Sequence, residues 1–521
     1  MKRILTVFLL VGLAFEAGAQ TWYDALTFSE NDYLGTARSV GMGNAMTAVG
    51  GDLGSITFNP AGAAVATYSQ FTITPGVSIA SVFGQGTYVG DSPYGFEDGI
   101  KTRSGRFQVP NFGAMVVYDT KNRSGLKRVT FGLVGNMTRD YNNRLRATGT
   151  NNETTLAGSF ASLADGYAES VLKKDYFDDD IPSWNTLAGY KGGLIDPVPG
   201  RDGTYLGLTE MLLDNGDMRL SDRIRQYYGL NRSGNKYDLL MNFAMDFSDR
   251  FYVGANLGIT TLTYSDVATI QEEAIPGGTY RDGFQSIRFD DVIEEEASGI
   301  YAKVGFIARP FAGLRIGAAV QTPTLLEFRE TYGKAASSVA STNYSTDVED
   351  LWYYNLKTPF RFNAGVAYTI GQVAMLSADY EMCDYSAMRF RPTYDSNADF
   401  SGVNQDIRDF AGASHMFRVG GELKPAPELA LRVGYNYATS PEIGVEAGRQ
   451  SVSFGLGYSS AGSFFADFAV RFQYLPDEFI TPYYYYSWDD QGTFIDDNVL
   501  TPQVCSQASL CNALVTLGWR F

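Results

Sequence analysis

The sequence predicts an all-β fold: a transmembrane antiparallel β-barrel of about 14 strands, with an N-terminal segment inside its lumen. The first observation is composition, since the chain has 56 Gly, 34 Tyr and 34 Phe but a mean hydropathy of only −0.15. The second is a recurring alternation of apolar and polar residues, which sets one strand face on lipid and the other on the lumen. The third is the last strand, whose alternation ends at Phe521 and resembles the closing strand of outer-membrane barrels.

Residues 1–19 are predicted to be a secretory signal peptide. Two basic residues, Lys2 and Arg3, precede an apolar run over 4–15, and small residues follow at 17–19. We expect cleavage before Gln20. Together with the closing strand, this predicts the outer membrane of a Gram-negative cell.

The charge balance and the single histidine argue against a nucleic-acid-binding protein, a His-rich metal protein and an enzyme. A net charge of −17 disfavours nucleic-acid binding. With one histidine, His-rich metal sites are excluded, and a Ser-His-Asp hydrolase would have to use His415, which follows Ser414. We therefore expect no enzymatic activity, no metal and no cofactor.

The three cysteines allow two interpretations. Cys505 and Cys511 could form a disulfide in an oxidising compartment, which would leave Cys383 unpaired. Three free thiols are the alternative, and the spacing does not decide between them.

The predicted barrel covers residues 67–521. In its clearest strand, 464–474, Phe464, Phe468 and Phe472 share one face, while Asp467 and Arg471 share the other. In a soluble sandwich a second sheet would have to cover such apolar faces, whereas lipid covers them in a closed barrel. The predicted strands are 67–85, 105–118, 127–142, 235–247, 251–266, 298–309, 314–330, 354–369, 373–388, 414–424, 429–440, 450–459, 463–484 and 511–521.

An even strand number places both chain ends on the periplasmic side, with tight turns there and long loops outside. The longest predicted loop is 146–234. The tyrosine-rich run at 483–488 follows the strand at 463–484, as expected for an interfacial aromatic girdle.

Residues 20–66 precede the first strand and cannot belong to the barrel wall. They include Gly41-Met42-Gly43, a near match to a dinucleotide fingerprint. That fingerprint acts only between a strand and a helix of a βαβ unit, and no such pattern surrounds it here. Small side chains let a backbone pass close to a barrel wall, so we predict that this segment is threaded into the lumen.

Several motifs resemble the FadL family of outer-membrane transporters for long-chain fatty acids and aromatic hydrocarbons. They are ARSVGMGNA at 37–45, Asp52, FNPAG at 58–62, VPNFG at 109–113, and Thr358-Pro359 leading into FNAGVAY at 362–368. The resemblance implies an N-terminal hatch domain at 20–66. Its candidate hatch residues are Gly41, Gly43, Asn59, Pro60, Ala61 and Gly62.

The resemblance also implies a route for a hydrophobic small molecule. The ligand would be captured by extracellular loops, pass to a pocket above the hatch, and leave sideways beside a kinked strand, without a cofactor or energy coupling. The candidate strand is 127–142, where Gly132 and Gly135 could permit a kink. Ordinary barrel glycines are the alternative.

The long loop holds a candidate ligand groove. Leu208, Met211 and Leu212 fit one face of a short helix, and Ile224 with Tyr228 fits another. Alternatively, these residues pack the loop onto the barrel rim. The acidic groups 178–180 and 294–296 are predicted in extracellular loops, where they are solvated or bridge through divalent cations to lipopolysaccharide.

Alternation places a candidate polar network in the lumen. One arginine could bind a ligand carboxylate, because guanidinium pairs with it at two points, or these charges could pair with one another and with the hatch. The set is Arg361, Arg418, Arg432, Arg471, Glu422 and Asp467.

A different functional class is a structural or carrier subunit of an outer-membrane assembly. The extra loop mass suggests it, and some FadL relatives look like partners in secretion machinery. Other outer-membrane or periplasmic proteins would then be partners, besides outer-membrane lipid and lipopolysaccharide.

Overall fold

The computed structural model describes residues 20–87, 95–174, 183–213, 218–394, 396, 398–460, 462–484, 486–488, 494–496 and 501–521. The expected signal peptide, the acidic group 178–180 and part of the tyrosine-rich run lie outside the described residues. Within them, 14 antiparallel strands form one closed barrel. The ring closes where the first strand pairs with the last, from Gln70 with Arg520 to Thr87 with Gln503.

The barrel strands are numbered here β1 to β14 in chain order, and five of them continue after a short break. They are β1 (Gln70–Thr87), β2 (Asp98–Asp119), β3 (Leu126–Asp140, continuing as Asn143–Asn151), β4 (Ile224–Phe247), β5 (Phe251–Ala274), β6 (Ser286–Ala308), β7 (Leu314–Gln321, continuing as Leu325–Val339), β8 (Tyr344–Lys357, continuing as Arg361–Ile370), β9 (Ala374–Asp384, continuing as Arg389–Pro392), β10 (Ala413–Ala426), β11 (Leu429–Ala438), β12 (Arg449–Ser459), β13 (Phe464–Tyr474, continuing as Glu478–Ile480) and β14 (Gln503–Arg520).

The predicted number and order of strands are confirmed, but several strands are longer than predicted. The predicted loop 267–297 is mostly strand, because β5 runs to Ala274 and β6 begins at Ser286. The acidic group 294–296 therefore lies in β6, not in a loop. Glu294 and Glu296 face outward there, while Glu295 is buried inside. Sequence alternation missed these extensions because above the membrane the outward side chains are polar too.

The outer surface of the wall is apolar over most of its height. Leu133, Leu257, Val433, Phe454 and Phe472 each expose between 47% and 54% of their surface. In water such a continuous surface would favour association, whereas hydrocarbon covers it without cost. None of the helices in the described part of the chain is both long enough and apolar enough to span a bilayer.

The helices lie in the N-terminal segment and in the loops. They are α1 (Trp22–Ser29), α2 (Ala37–Gly41), α3 (Ser55–Phe58), α4 (Leu156–Ala164), α5 (Glu169–Leu172), α6 (Trp184–Lys191) and α7 (Ser401–Phe410), with 3-10 turns at Pro60–Val65, Arg281–Gly283 and Tyr385–Ala387. Short hairpins join Ile195–Pro197 to Tyr205–Gly207, Glu210–Leu212 to Met218–Leu220, and Tyr486–Trp488 to Phe494–Asp496.

Helix α1 begins at a reciprocal cap. The Thr21 hydroxyl accepts a hydrogen bond from the Asp24 amide at 3.3 Å, and the Asp24 carboxylate accepts one from the Thr21 amide at 2.7 Å. Phe28 at its other end is fully buried among Tyr264 and Phe328 of the wall. The cap and this aromatic contact fix α1 within the barrel.

Cys505 and Cys511 are free thiols that both lie on β14. Six residues of strand separate their Cα atoms by about 20 Å, whereas a disulfide requires about 4.4–6.8 Å. The disulfide interpretation is therefore wrong, and Cys383 is a third, buried free thiol.

Candidate functional site

The N-terminal segment, residues 20–66, crosses the lumen in direct backbone contact with the wall. Gly43 has a φ of 61°, and a Cβ there would lie 2.8 Å from the Tyr435 amide nitrogen. A Cβ on Gly434 of β11 would lie only 2.0 Å from the Gly43 nitrogen. Similarly, a Cβ on Gly41 would lie 3.2 Å from the Gly455 Cα. These contacts require glycine on both surfaces.

The FNPAG motif is a second point of attachment. The Asn59 amide donates hydrogen bonds to the carbonyl oxygens of Thr47 at 2.8 Å and Phe306 at 2.9 Å. Its side-chain oxygen accepts one from the Ala61 amide at 3.1 Å and so caps the 3-10 turn. Pro60 packs against Gly254 of β5, where a Cβ would lie 2.5 Å from the Pro60 carbonyl carbon. Asn59 thus joins the segment to itself and to the wall.

Ion pairs hold the same segment to three further strands, β3, β10 and β13. Arg471 of β13 donates two hydrogen bonds of 2.9 Å to Asp32, Arg139 lies 2.9 Å from Glu30, and Arg38 lies 3.0 Å from Glu422. Burial alone would raise the pKa of the Asp32 carboxyl, but Arg471, with the nearby Arg449 and Arg139, outweighs burial and lowers the pKa to about 2.

The six predicted lumen residues fall into separate groups. Arg432 bridges Glu422 at 2.7 Å and Asp467 at 2.5 Å, and Arg38 completes this group. Arg471 belongs to the Asp32 pair. All of these groups are tied to the N-terminal segment.

Arg361 and Arg418 share a carboxylate that sequence reasoning missed, Glu381, at 3.2 Å and 2.5 Å. The Arg418 guanidinium also lies 5.0 Å from the centre of the Phe58 ring and 5.9 Å from that of Tyr33. With these pairs, each of the four predicted arginines has a protein carboxylate as its partner.

The hydrogen-bond ladder of the wall has a gap between β2 and β3. The β2–β3 ladder ends where Asn111 pairs with Asn136, and it resumes only at Gly99 and Asp98. Between these points, residues 100–110 of β2 and 137–146 of β3 are not paired with each other. These two stretches are called the wall gap below.

Side chains cross the wall gap where the ladder is absent. The Tyr237 hydroxyl donates to the Val109 carbonyl oxygen at 3.1 Å, and Arg106 donates to the Asn142 side chain at 3.1 Å. The Thr102 hydroxyl donates to the carbonyl oxygen of Arg144. Side-chain hydrogen bonds therefore bridge the gap. They can rearrange without breaking a ladder of backbone hydrogen bonds.

An inward bend of β3 produces the gap. Its ladder with β4 shifts register between Met137 and Arg139, and the strand breaks before Asn143. Beyond the break, Leu145 passes beneath β1, where a Cβ on Gly84 would lie 2.4 Å from a Leu145 methyl carbon.

The N-terminal segment hydrogen-bonds to the bend itself. The Asp32 amide donates to the Thr138 carbonyl oxygen at 2.6 Å, and the Leu34 amide donates to the Met137 carbonyl oxygen at 3.0 Å. The segment thereby supplies backbone partners that β2 does not.

Gly132 and Gly135 do not form the bend, although the predicted strand is the bent one. Their ladders with β2 and β4 are continuous through both positions. Gly135 lies under the Phe112 ring, since a Cβ there would be 2.4 Å from it. The break follows Asp140 instead, whose carboxylate accepts a hydrogen bond from the Asn142 amide at 3.1 Å. The DYNN sequence at 140–143 is the signal that could have located it.

The predicted helical groove is wrong in its secondary structure. Met211 and Leu212 lie in a short hairpin strand, and Ile224 and Tyr228 lie in β4. A spacing of four residues places two side chains on one face of a strand as well as of a helix, which is why the pattern misled. Leu208, Ile224 and Tyr228 are buried in one apolar cluster, whereas Leu212 remains 38% exposed.

That cluster joins the loop insertion to the top of the barrel. It packs α4 and α6 on wall residues such as Phe289 and Ala336. Beside it, the Glu272 carboxylate accepts hydrogen bonds of 2.7 Å from the Leu156 amide and from Gln226, and Gln226 also donates to the Tyr483 hydroxyl at 2.7 Å. The insertion is thus a packed ceiling over the lumen.

A small polar cavity remains in the lumen beside α1. Its volume is about 20 Å³, and its lining includes Phe28, Asn31, Lys236, Asp238 and Tyr301. Lys236 donates to the carbonyl oxygens of Phe28 at 2.8 Å and Glu30 at 2.6 Å. This volume holds about one water molecule, so a hydrophobic ligand cannot occupy the cavity unless α1 moves.

The geometry around His415 does not form a catalytic pair. The Ser414 hydroxyl donates to the Thr439 carbonyl oxygen at 2.7 Å, and His415 Nδ1 lies 2.8 Å from the Tyr380 hydroxyl. Among the described residues, no three or more His, Cys, Asp and Glu side chains are grouped to hold a metal ion.

Comparison with solved structures identifies the fold. A Pseudomonas aeruginosa FadL homologue matches 94% of this chain and 99% of its own, with a TM-score of 0.53 and 12% identity. The toluene transporters TbuX of Ralstonia pickettii (14% identity, 93% of this chain, 98% of that one, TM-score 0.46) and TodX of Pseudomonas putida (11%, 95%, 100%, 0.49) are also similar. No protein-family model and no curated protein matches the sequence. The chain therefore has the fold of a FadL homologue, and the resemblance predicted from its motifs is confirmed at the level of the fold.

Proposed function

We propose that this protein is an outer-membrane channel through which hydrophobic small molecules resembling long-chain fatty acids enter by diffusion. The observation that carries the proposal is the wall gap, which lies beside a segment that fills the lumen. An apolar molecule gains nothing from a watery exit and partitions readily into hydrocarbon. A sideways exit through the wall gap suits such a ligand.

The N-terminal segment acts as a hatch in this proposal. The cavity beside α1 is far too small for a fatty acid, so the segment has to move when ligand enters. Its hydrogen bonds from Asp32 and Leu34 to the bend of β3 connect that movement to the wall gap. Movement of the segment would break the Arg139–Glu30 ion pair and the hydrogen bonds to the bend of β3 at the same time.

Ligand capture is assigned to the rim of the loop insertion. Met211 is half-buried and Leu212 is exposed, so these two side chains can contact a ligand from outside. Leu208, Ile224 and Tyr228 then support the ceiling from within.

Uptake by cells tests the proposal. The full chain is expressed in a Gram-negative host that lacks its own fatty-acid channel, and labelled oleate accumulation is compared with that of a variant lacking residues 20–64. We expect uptake by the full chain and an open, poorly selective pore in the variant. Unchanged uptake with a closed lumen in the variant would refute the hatch.

The assembly-subunit hypothesis remains the second candidate. Two exposed apolar side chains favour it because they could contact another protein: Ile443 in the loop before β12, at 58%, and Phe479 near the end of β13, at 54%. Native mass spectrometry of the protein from its own membrane separates the two. A small added mass displaced by oleate indicates transport, whereas a stoichiometric protein partner without a small ligand indicates an assembly.

A further inference from the structure

The outer face on both sides of the wall gap is basic, although the chain as a whole is acidic. Lys101 and Arg103 of β2 and Arg144 and Arg146 of β3 are all exposed. The two arginines of β3 point outward, because Leu145 between them is buried inside at 1% exposure. In a chain with a net charge of −17, four cations on two adjacent strands form a distinct patch.

The four side chains lie close together across the gap. Thr102, between the two β2 cations, donates its hydroxyl hydrogen bond to the carbonyl oxygen of Arg144. Gly99 pairs with Ala147, which places Arg146 beside the top of β2. The contacts that cross the gap therefore bring the cations of both strands to one height.

No carboxylate of the described part of the chain neutralises these cations. Three acidic side chains at the edges of the gap are already engaged: Asp98 pairs with Arg225 at 3.3 Å, Glu97 accepts hydrogen bonds from the Thr150 amide at 2.9 Å and 3.0 Å, and Asp140 accepts one from the Asn142 amide. Arg144 reaches only the neutral side chain of Asn231, at 2.9 Å. The patch thus carries charge that an external anion can meet.

The height of these cations above the apolar band of the barrel indicates which kind of anion the patch meets. Phe107 is 68% exposed and lies 11 residues from the exposed Tyr118 at the periplasmic end. That separation spans about 28 Å of height for a strand tilted by about 40°, close to the height of an apolar barrel band. Arg103 and Lys101 then lie about 10–15 Å above Phe107, at the level of lipid headgroups.

We propose that the basic patch of Lys101, Arg103, Arg144 and Arg146 binds the anionic, phosphate-bearing headgroup of a lipid in the surrounding outer leaflet. Guanidinium groups bind phosphate oxygens at two points. Phe107 and the exposed apolar side chains below it provide a surface along which the acyl chains lie. The bound lipid would cover the mouth of the wall gap from outside. This inference goes beyond transport and does not depend on it.

The test is competitive lipid retention by native mass spectrometry. Purified full-length protein in a neutral detergent is mixed with equal amounts of phosphatidylglycerol and phosphatidylcholine. We expect preferential phosphatidylglycerol adducts on the wild type. Each basic residue near an anionic surface contributes about a fivefold preference, so the double variant Arg103→Gln/Arg146→Gln should lose roughly 25-fold. No preference in the wild type would overturn the proposal.

Matched variants separate a charge effect from misfolding. Lys357→Gln/Arg391→Gln removes two outward cations from β8 and β9, where the outward Glu327 lies nearby, and should keep the preference. The conservative Arg103→Lys/Arg146→Lys should keep it as well. An equal loss of phosphatidylglycerol preference in the β8–β9 variant would show that the basic patch is not the binding site. Displacement of the lipid by an equal concentration of inorganic phosphate would show that the patch binds free phosphate and not a lipid headgroup.

Discussion

Asp32 and Arg471 form a two-point ion pair, with both N–O distances at 2.9 Å, between the N-terminal segment and the barrel wall. The side chains expose only 14% and 3% of their surface. The backbone of Asp32 at the same time hydrogen-bonds to the bend of β3. This one residue therefore connects the lumen charge network to the wall gap.

Acid should loosen the segment through this pair. The pKa of Asp32 is lowered to about 2, so its stabilising contribution is complete above the unfolded pKa of about 3.9 and is lost as pH falls toward 2. The shift corresponds to about 2–3 kcal/mol. Hydrogen-exchange protection factors of residues 30–36 should fall between pH 6 and pH 2 by more than those of β11. The variant Asp32→Asn should reduce this difference, leaving the part that the Glu30–Arg139 pair contributes, and an unchanged pH profile in the variant would contradict the assignment.

A methyl group at Gly434 should expel the segment. A Cβ there would lie 2.0 Å from the Gly43 nitrogen, which backbone cannot relieve locally, so Gly434→Ala should cost about 1–3 kcal/mol. Gly421→Ala on β10 is the control, because its Cβ would meet nothing closer than 3.5 Å. Limited proteolysis within residues 20–66 should accelerate only in the first variant. Equal resistance of both variants would show that the contact is not limiting.

The side-chain NH₂ group of Asn59 should be needed to hold the N-terminal segment in the lumen. Asn59→Asp keeps the oxygen that caps the 3-10 turn but removes both hydrogen bonds to the carbonyl oxygens of Thr47 and Phe306. Losing each of these hydrogen bonds costs about 0.5–1.5 kcal/mol. Ion conductance in planar bilayers should rise as the segment loosens. A conductance equal to that of the wild type would contradict a sealing role.

The ceiling of the lumen should depend on the Tyr483 hydroxyl. It accepts a hydrogen bond from Gln226 at 2.7 Å and lies 3.3 Å from the Asn151 amide nitrogen. Tyr483→Phe should destabilise the insertion by about 1–2 kcal/mol. Tyr394→Phe is the control, since Tyr394 is fully exposed. Protease cleavage within 183–213 should increase for the first change alone, and equal cleavage would argue against the polar contacts.

The fold was predictable from the sequence because a lipid-facing strand displays its period directly. The alternating segment 464–474 coincides with the first part of β13, within the predicted strand 463–484. Where both faces of a strand are polar or both are buried, the apolar–polar alternation disappears and no longer predicts a strand, as over 267–297. Ile224 and Tyr228 show the same limit, because their spacing fits a helix and a strand equally well.

The site was less predictable because its parts are distant in sequence. The bend of β3 is fixed by hydrogen bonds from Asp32 and Leu34, about a hundred positions earlier in the chain. Gly434 matters only because Gly43 lies against it, and Glu381 only because two arginines meet there. Motifs marked the segment, but not the wall residues that receive it.

A reversible cross-link across the wall gap tests the central claim most directly. Arg106→Cys and Asn142→Cys replace side chains that already contact each other across the gap, in a background where Cys383, Cys505 and Cys511 are changed to Ala. A bifunctional thiol reagent with an internal disulfide then joins the two positions, and labelled oleate uptake is measured before and after reduction. The account predicts uptake that is lost on cross-linking and restored by reductant. Uptake that continues unchanged through a fully cross-linked gap would show that ligand leaves by another route.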